Sequence, residues 1–244
     1  MDKVILITGA GEGIGFSIAE YLVSQQYQVI VTDLTLEKAE AAVAKLAVNN
    51  AFAHKLDITQ PTDFDVVSGW IKEKFHKLDA LINNAAMTRT TSLFEISADE
   101  FVEISRINQM GTFLACQHFG QWMAQQGQGR IINMSSLAGQ NGGVAVGAHY
   151  AISEGAILTM TKLFAKALAE SGVTVNAIAC GPVDSPAFHR LVQVNEIPEI
   201  LKSIPVKKLG DMRFIAQTIE LLIQNNSGFV TGATWDMNGG LLMR

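Results

Sequence analysis

Several kinds of residue are scarce in this chain, and each scarcity narrows what it does. Only two cysteines occur in 244 residues, Cys116 inside an apolar helical pattern and Cys180 after an apolar run. Two are too few for a disulfide framework or a cysteine-based metal cluster, so both are read as free thiols and no metal site is expected. Charged residues make up 17% and the formal net charge is -5. Without a local cluster of Lys and Arg the surface has no field for collecting phosphate backbones, which excludes nucleic acid as a partner. No apolar run reaches membrane-spanning length, and the run 4–7 after Met1-Asp2-Lys3 is too short for a secretory leader. A cytoplasmic protein without a membrane partner is expected.

Apolar residues are plentiful, at 48%. Runs that are apolar at nearly every position recur at 4–8, 29–33, 52–56, 80–83, 130–134, 173–179 and 233–237, and helical spacing fills most of the intervals. Such runs suit strands buried on both faces, with helices as the crossovers that parallel strands need. The expectation is an α/β fold, a Rossmann-like doubly wound parallel sheet of about seven strands with helices on both faces. No repeat, low-complexity tract or linker divides the chain, so residues 1–244 are read as one domain. Within it, 184–211 carries Pro186, Pro198 and Pro205 yet keeps Leu191, Val194, Ile197, Ile200 and Leu201. That mixture reads as a short-helix lid over the sheet edge.

The first apolar run leads into Thr8-Gly9-Ala10-Gly11-Glu12-Gly13-Ile14-Gly15, and Ile14, Ile18, Ala19 and Leu22 continue at helical spacing. Glycines at a strand-to-helix junction allow a tight turn and bring helix N-terminal amides against a diphosphate. Asp33 closes the second run about twenty residues on, where a carboxylate accepts hydrogen bonds from an adenosine ribose. Its charge repels a 2′-phosphate, which favours NAD(H) over NADP(H); the alternative is a turn cap. Glu12 adds a second negative group inside the glycine loop.

With Thr8-Gly9-x-x-x-Gly13-Ile14-Gly15, Asn83-Asn84-Ala85, Asn108, Ser136 and Tyr150 in this order, the chain resembles the short-chain dehydrogenase/reductase family over essentially its whole length. Its ending, Gly228-Phe229-Val230-Thr231-Gly232 through Asn238-Gly239-Gly240, is similar to the 3-oxoacyl carrier-protein reductase branch. The resemblance implies that Ser136 and Tyr150 polarise a carbonyl, the phenol moving a proton while hydride passes to or from nicotinamide. It gives Asn108 the asparagine role at a helix bend with a relay water. It also implies a cofactor surface of Gly9, Gly11, Glu12, Gly13, Ile14, Gly15, Asp33, Leu34, Asp57, Ile58, Asn84, Ala85, Tyr150, Pro182, Val183 and Ser185. For Asp57 and Ser185, turn or cap roles explain the residues equally well. Members of the family are commonly tetramers or dimers, and the apolar tail Leu241-Leu242-Met243 fits burial in such a contact.

One feature of the family is missing. The active tyrosine is followed four residues later by lysine, whereas this chain reads Tyr150-Ala151-Ile152-Ser153-Glu154. Residues four apart share a helix face, so Glu154 stands in the lysine's place and inverts the local charge. Two unit charges about 5 Å apart at an effective dielectric near ~20 interact by roughly 3 kcal/mol, over two pKa units, so tyrosinate becomes harder to form. Lys162 lies about 18 Å beyond Tyr150 along a helix and is no substitute. Three accounts fit: Glu154 accepts ribose hydroxyls and slows the chemistry, oxidation more than reduction; the chain is a redox-silent NAD-binding subunit; or a lysine codon was altered.

Smaller departures are Ala86, where glycine is usual, and a long connection from Ser136 to Tyr150 with Gly139, Gly142, Gly143 and Gly147, expected to be mobile or to reshape the pocket. His149 invites a general-base role or, more plainly, a partly buried place at a helix entry. An oxidoreductase acting between a carbonyl and a secondary alcohol, with an acyl thioester as the candidate substrate, explains the motifs together. A catalytically impaired NAD-binding subunit is the alternative. In the lid, Phe188, Leu191, Val192 and Ile197 suggest an apolar pocket; Arg190, Lys202, Lys207 and Lys208 are either a contact for an acidic carrier protein or a solvated face.

Overall fold

A computed structural model of the chain describes residues 3–143 and 146–244. Among these residues seven strands form one sheet: β1 (Val4–Ile7), β2 (Gln28–Asp33), β3 (Ala51–Lys55), β4 (Ala80–Asn83), β5 (Gly129–Ser136), β6 (Val173–Cys180) and β7 (Thr234–Met237). All neighbours pair in parallel, in the order β3-β2-β1-β4-β5-β6-β7. The seven apolar runs are these seven strands, with no end moved by more than two residues.

The residues explain the two-sided burial. In β1, Ile5 and Ile7 join one core, together with Ile18 and Leu22 of α1 (Gly13–Ser24) and Ile215 and Ile219 of α10 (Met212–Leu222). Val4 and Leu6 point the other way, into a core with Phe64 and Ile71 of α3 (Pro61–Phe75) and Phe119 and Met123 of α5 (Gly111–Gln126). Helix α2 (Leu36–Leu46) joins the first layer through Ala39 and Ala42, and α7 (Ala148–Leu168) joins the second through Ala165. The edge strands β3 and β7 are covered less completely. Because β2 lies on one side of β1 and β4 on the other, the connections leaving β1 and β4 part company, and their carboxyl ends border a crevice.

A buried polar stitch holds the second layer below that crevice. Asn133 of β5 is fully buried; its Oδ1 accepts from Asn83 Nδ2 at 2.8 Å and its Nδ2 donates to Thr161 Oγ1 at 2.9 Å. Strands β4 and β5 are thereby tied to α7, the helix that carries Tyr150. Between α4 (Ala98–Ile104) and α5, Ser105–Met110 forms a π-helical stretch, the bend on which Asn108 sits.

The 184–211 segment contains α8 (Pro186–Leu191) and α9 (Ile197–Ser203), neither with a fully buried residue. Its ends are pinned by a parallel bridge between Val183 and Gly210, and Ile204 returns to the interior at 1% exposure. The Ser136 to Tyr150 connection begins with α6 (Ala138–Asn141) and rejoins at Gly147, whose N–H donates to the Arg89 carbonyl at 2.7 Å. The expectation of mobility there falls in part on Val144 and Ala145, which lie outside the described residues, as do Met1 and Asp2 of the leader reading.

Replacing Asn133 by Ala takes one hydrogen bond each from the Asn83 amide, which keeps Cys116 Sγ at 3.3 Å, and the Thr161 hydroxyl, which still donates to the Ile157 carbonyl at 2.8 Å. It also leaves a buried void, so Asn133→Ala is expected to lower unfolding free energy by about 2–4 kcal/mol. Urea unfolding checks this; a loss below 0.5 kcal/mol on that scale would show that the stitch contributes little.

Candidate active site

At the nucleotide end, the glycine loop between β1 and α1 is held open by its neighbours. Thr8 Oγ1 accepts from the N–H groups of Asn84 and Ala85, both at 3.0 Å, and Asn84 Nδ2 donates back to the carbonyls of Thr8 and Gly9 at 3.1 and 2.8 Å. Asn84 is therefore a strut between the β4 end and the loop. A methyl at Gly9 would lie 2.7 Å from the Ala85 Cα, and one at Gly15 would strike the Gly9 carbonyl and the Asn84 amide. Both glycines serve the protein's own packing. Gly13 differs: its φ is +62° and nothing approaches the side it would present.

No side chain caps the start of α1, where Glu12 is the N-cap residue. Its first N–H groups therefore have no capping side chain at the positive end of the helix dipole, the arrangement a diphosphate takes. Asp33, at the end of β2, accepts from Gly11 N at 3.0 Å through Oδ2 and from Leu34 N at 2.9 Å through Oδ1. Two acceptor oxygens held by backbone beside the glycine loop fit an adenosine ribose. The residues present thus suit the adenosine and diphosphate parts of a nicotinamide dinucleotide.

At the other end, Ser136 closes β5 and Tyr150 lies in the first turns of α7, both partly buried. Ser136 Oγ accepts from Ala138 N at 3.1 Å, and the Cys180 carbonyl lies 3.4 Å from the same oxygen. The Tyr150 phenol is pushed well above its ordinary 10.0, first by burial and then by Glu154, while the Ser136 hydroxyl pulls the other way. Asn108 is fully buried; its amide exchanges two hydrogen bonds with the Met87 backbone and donates to Ser153 Oγ at 2.9 Å. It fixes the loop after β4 to α7 one residue from Glu154.

Glu154 is 2% exposed. The α6 backbone presses on α7 at this level, since a methyl at Gly139 would lie 2.6 Å from Gly155 N and 2.8 Å from Glu154 Cβ. Burial raises the Glu154 carboxyl to about 8, with Ser135 and Tyr150 acting in the lowering sense. The charge inversion expected from the sequence therefore does not hold at neutral pH. The desolvation of a buried carboxylate outweighs the tendency to ionise, so the site loses a cation without gaining an anion. Cys180, at the end of β6, is buried, and its thiol is pushed up to about 12 by burial and by Glu154.

Other expected residues take plainer roles. Asp57 Oδ1 accepts from Thr59 N and Oγ1 at 2.9 and 2.8 Å, a turn of the kind weighed as its alternative. Ser185 caps α8 by accepting from Phe188 N at 3.2 Å. Ile58 is buried against Gly111, Val183 is buried, and Pro182 accepts from Gly210 N at 2.9 Å, while Leu34 and Ala86 are exposed. His149 is fully buried, accepts from Tyr150 N at 3.0 Å through Nδ1 and meets Glu100 at 2.8 Å through Nε2, the buried helix-entry role. The lid cations are largely engaged within the chain: Arg190 grips Glu12 of the glycine loop at 2.9 and 3.1 Å, Lys202 binds Glu199 and Lys207 binds the Lys202 carbonyl. Sequence reasoning missed the Arg190–Glu12 clasp and the Ser135 and Cys180 walls around Glu154. Nothing in the local pattern marks them, because their partners lie 178, 19 and 26 residues away.

A family model described as short chain dehydrogenase matches residues 3–196. The 3-oxoacyl-[acyl-carrier-protein] reductase FabG of Vibrio cholerae is 33% identical over 241 residues, covering 99% of this chain and 98% of that protein. FabG of Staphylococcus aureus is 35% identical over 250 residues, covering 100% and 99%, and a Synechocystis enzyme of the same description is 33% identical over 245 residues, covering 99% and 97%.

The buried carboxyl has a thermodynamic signature. In the folded chain it keeps its proton up to about pH 8, whereas its ordinary value is 4.5, so the folded state loses stability as pH rises between those two values. Glu154→Gln removes this loss. The variant is expected to gain on the wild type by on the order of 3 kcal/mol more at pH 8 than at pH 4.5 in urea unfolding. An equal difference at both pH values would mean that Glu154 titrates as an exposed carboxyl does.

Proposed function

Because the chain belongs to the short-chain dehydrogenase family, a family of oxidoreductases that bind a nicotinamide cofactor, we propose that it reduces the keto group of a 3-oxoacyl thioester with NADH. The observation that carries this reading is the Ser136 and Tyr150 hydroxyl pair, set at the carboxyl end of the same sheet whose β1–α1 loop presents free amides. When bound, the cofactor supplies hydride to the carbonyl carbon. The chain does the rest: the Gly13 to Gly15 amides hold the diphosphate, Asp33 accepts the adenosine ribose, Ser136 donates to the substrate oxygen and Tyr150 Oη gives it a proton. A phenol held in its neutral form suits that donation and opposes its reverse.

The choice of NADH rests on the Asp33 carboxylate. Lys38 stands 4.0 Å from it, but at 63% side-chain exposure it offsets little of the repulsion toward a 2′-phosphate. The thioester is favoured by relatives of that description matched along their whole length. A cleft of about 460 Å³ lined by Thr90, Thr91, Ser92, Leu93 and Ala148 beside the start of α7 offers space for an acyl chain. Residues 184–211 act as the lid, clasped to the glycine loop by Arg190 and Glu12. Exposed Phe113 on α5 and Ile152 and Leu163 on α7 support a homodimer or homotetramer joined through these helices. We place the protein in the cytoplasm, where such a substrate and NADH meet; no helix among the described residues is long and apolar enough to cross a membrane. The missing lysine favours a second reading, a subunit that binds NAD(H) without turning over.

Calorimetry with NADH and NADPH, followed by reduction of an acetoacetyl thioester, tests the proposal. NADH is expected to bind about tenfold more tightly, with the preference lost in Asp33→Ala. Tyr150→Phe is expected to slow reduction by about a hundredfold or more. NADH binding with no carbonyl reduced would establish the second reading, and no binding of either dinucleotide would sink both.

A further inference from the structure

The chemistry just described uses up the Tyr150 proton in every turnover, so some group must restore it. Two buried titratable side chains adjoin the phenol without a role, the Cys180 thiol, held up to about 12, and the carboxyl of Glu154. Glu154 lies one helical turn on, on the same face of α7, and is 2% exposed. Ser135 and Ser136 of β5, Cys180 of β6 and Gly139 of α6 surround the pair. Asn108 reaches α7 through Ser153, and His149 is turned to Glu100. No lysine or arginine among the described residues shifts either Tyr150 or Glu154.

We propose that Glu154 is the internal proton donor that re-protonates Tyr150 after the phenol has protonated the substrate oxygen. This rests on the carbonyl-reductase reading above. The steps balance. With NADH as the reductant, the substrate carbonyl becomes an alkoxide; the Tyr150 Oη–H bond breaks as the substrate O–H bond forms. The Glu154 carboxyl then loses its proton to the Tyr150 oxygen, and the resulting carboxylate takes a proton from water. Net consumption is one proton from solvent per carbonyl reduced.

The direction follows from the two acidities. Glu154 stands one helical turn from Tyr150 on the same face of α7 and is the stronger acid of the two, at about 8 against a phenol held well above 10, so the proton passes downhill from carboxyl to phenolate. The reverse transfer, which alcohol oxidation would need, is uphill. A lysine here holds a phenolate in being; a carboxylic acid removes it. The replacement thus makes a one-way site whose reduction fades as Glu154 ionises.

Infrared difference titration of the ligand-free protein, with Glu154→Gln as the assignment control, is combined with pH profiles of acetoacetyl thioester reduction. A carboxylic acid band that persists at pH 7, vanishes near pH 8 and is absent from the variant is expected. So are an alkaline fall in wild-type kcat with the same midpoint, a kcat at least ~10-fold lower in Glu154→Gln without that fall, and its return in Glu154→Asp. A carboxylate already ionised at pH 6, or a Glu154→Gln profile matching the wild type, overturns the proton-donor role while the reductase stands. The expected titration with no carbonyl reduced at any pH overturns the reductase reading and the donor role with it. The infrared arm tells the two failures apart.

Discussion

Everything at the working end of this molecule depends on the inner strands being buried on both faces. All four residues of β1 and all eight of β6 are buried, so their alternate side chains are spent on two helical layers. What remains free for chemistry is the rim, where the backbone leaves the sheet and polar groups no longer have ladder partners. There the loop after β1 turns through Gly13 into an uncapped helix, and there Ser136 and Cys180 end neighbouring strands. The glycine loop and the Ser136 and Tyr150 pair therefore lie along one sheet edge, positioned by strand order.

That rim also explains why Glu154 is a weak acid. α7 packs over β5 and β6 and is pressed by α6 through Gly139, which leaves residue 154 buried at 2% exposure. An ammonium in such a place has a phenolate and ribose hydroxyls to satisfy it; a carboxylate has only Ser135 and Tyr150, too few donors to repay full desolvation. Protonation is the cheaper resolution. The same burial pushes Tyr150 further up, so two acids of different strength stand side by side in their neutral forms.

The architecture was legible in the residues because its signals are local and repeated: apolar runs at strand length, helical intervals, and glycines at one junction. All seven runs became strands of one parallel sheet. The placement of Asp33 at the end of β2 beside the glycine loop was legible for the same reason, whereas Ser136 and Tyr150 were picked out by the family resemblance and not by local periodicity. What escaped was set by neighbours distant in sequence. The charge of Glu154 follows from walls on β5, β6 and α6, and the task of Arg190 follows from Glu12 at the far end of the chain. Helix periodicity puts residue 154 next to residue 150, but it carries no information on how dry that place is.

These distant pairings bear on how a dianionic diphosphate is held. Glu12 at the loop is answered by Arg190, and Asp33 by the exposed Lys38, so two nearby cations are already matched to carboxylates. The lysine of the family motif is replaced by an acid that is neutral at pH 7. Attraction for the diphosphate then falls mainly to the N–H dipoles at the start of α1, which are fixed by the fold and do not exchange with salt as mobile side chains do. On the proposed reading the glycine loop would supply affinity and the carboxylate at β2 discrimination, and the clasp from α8 to the loop would couple both to residues 184–211. A change that loosened the clasp would then act on cofactor and substrate together, although Arg190 and Tyr150 belong to different elements.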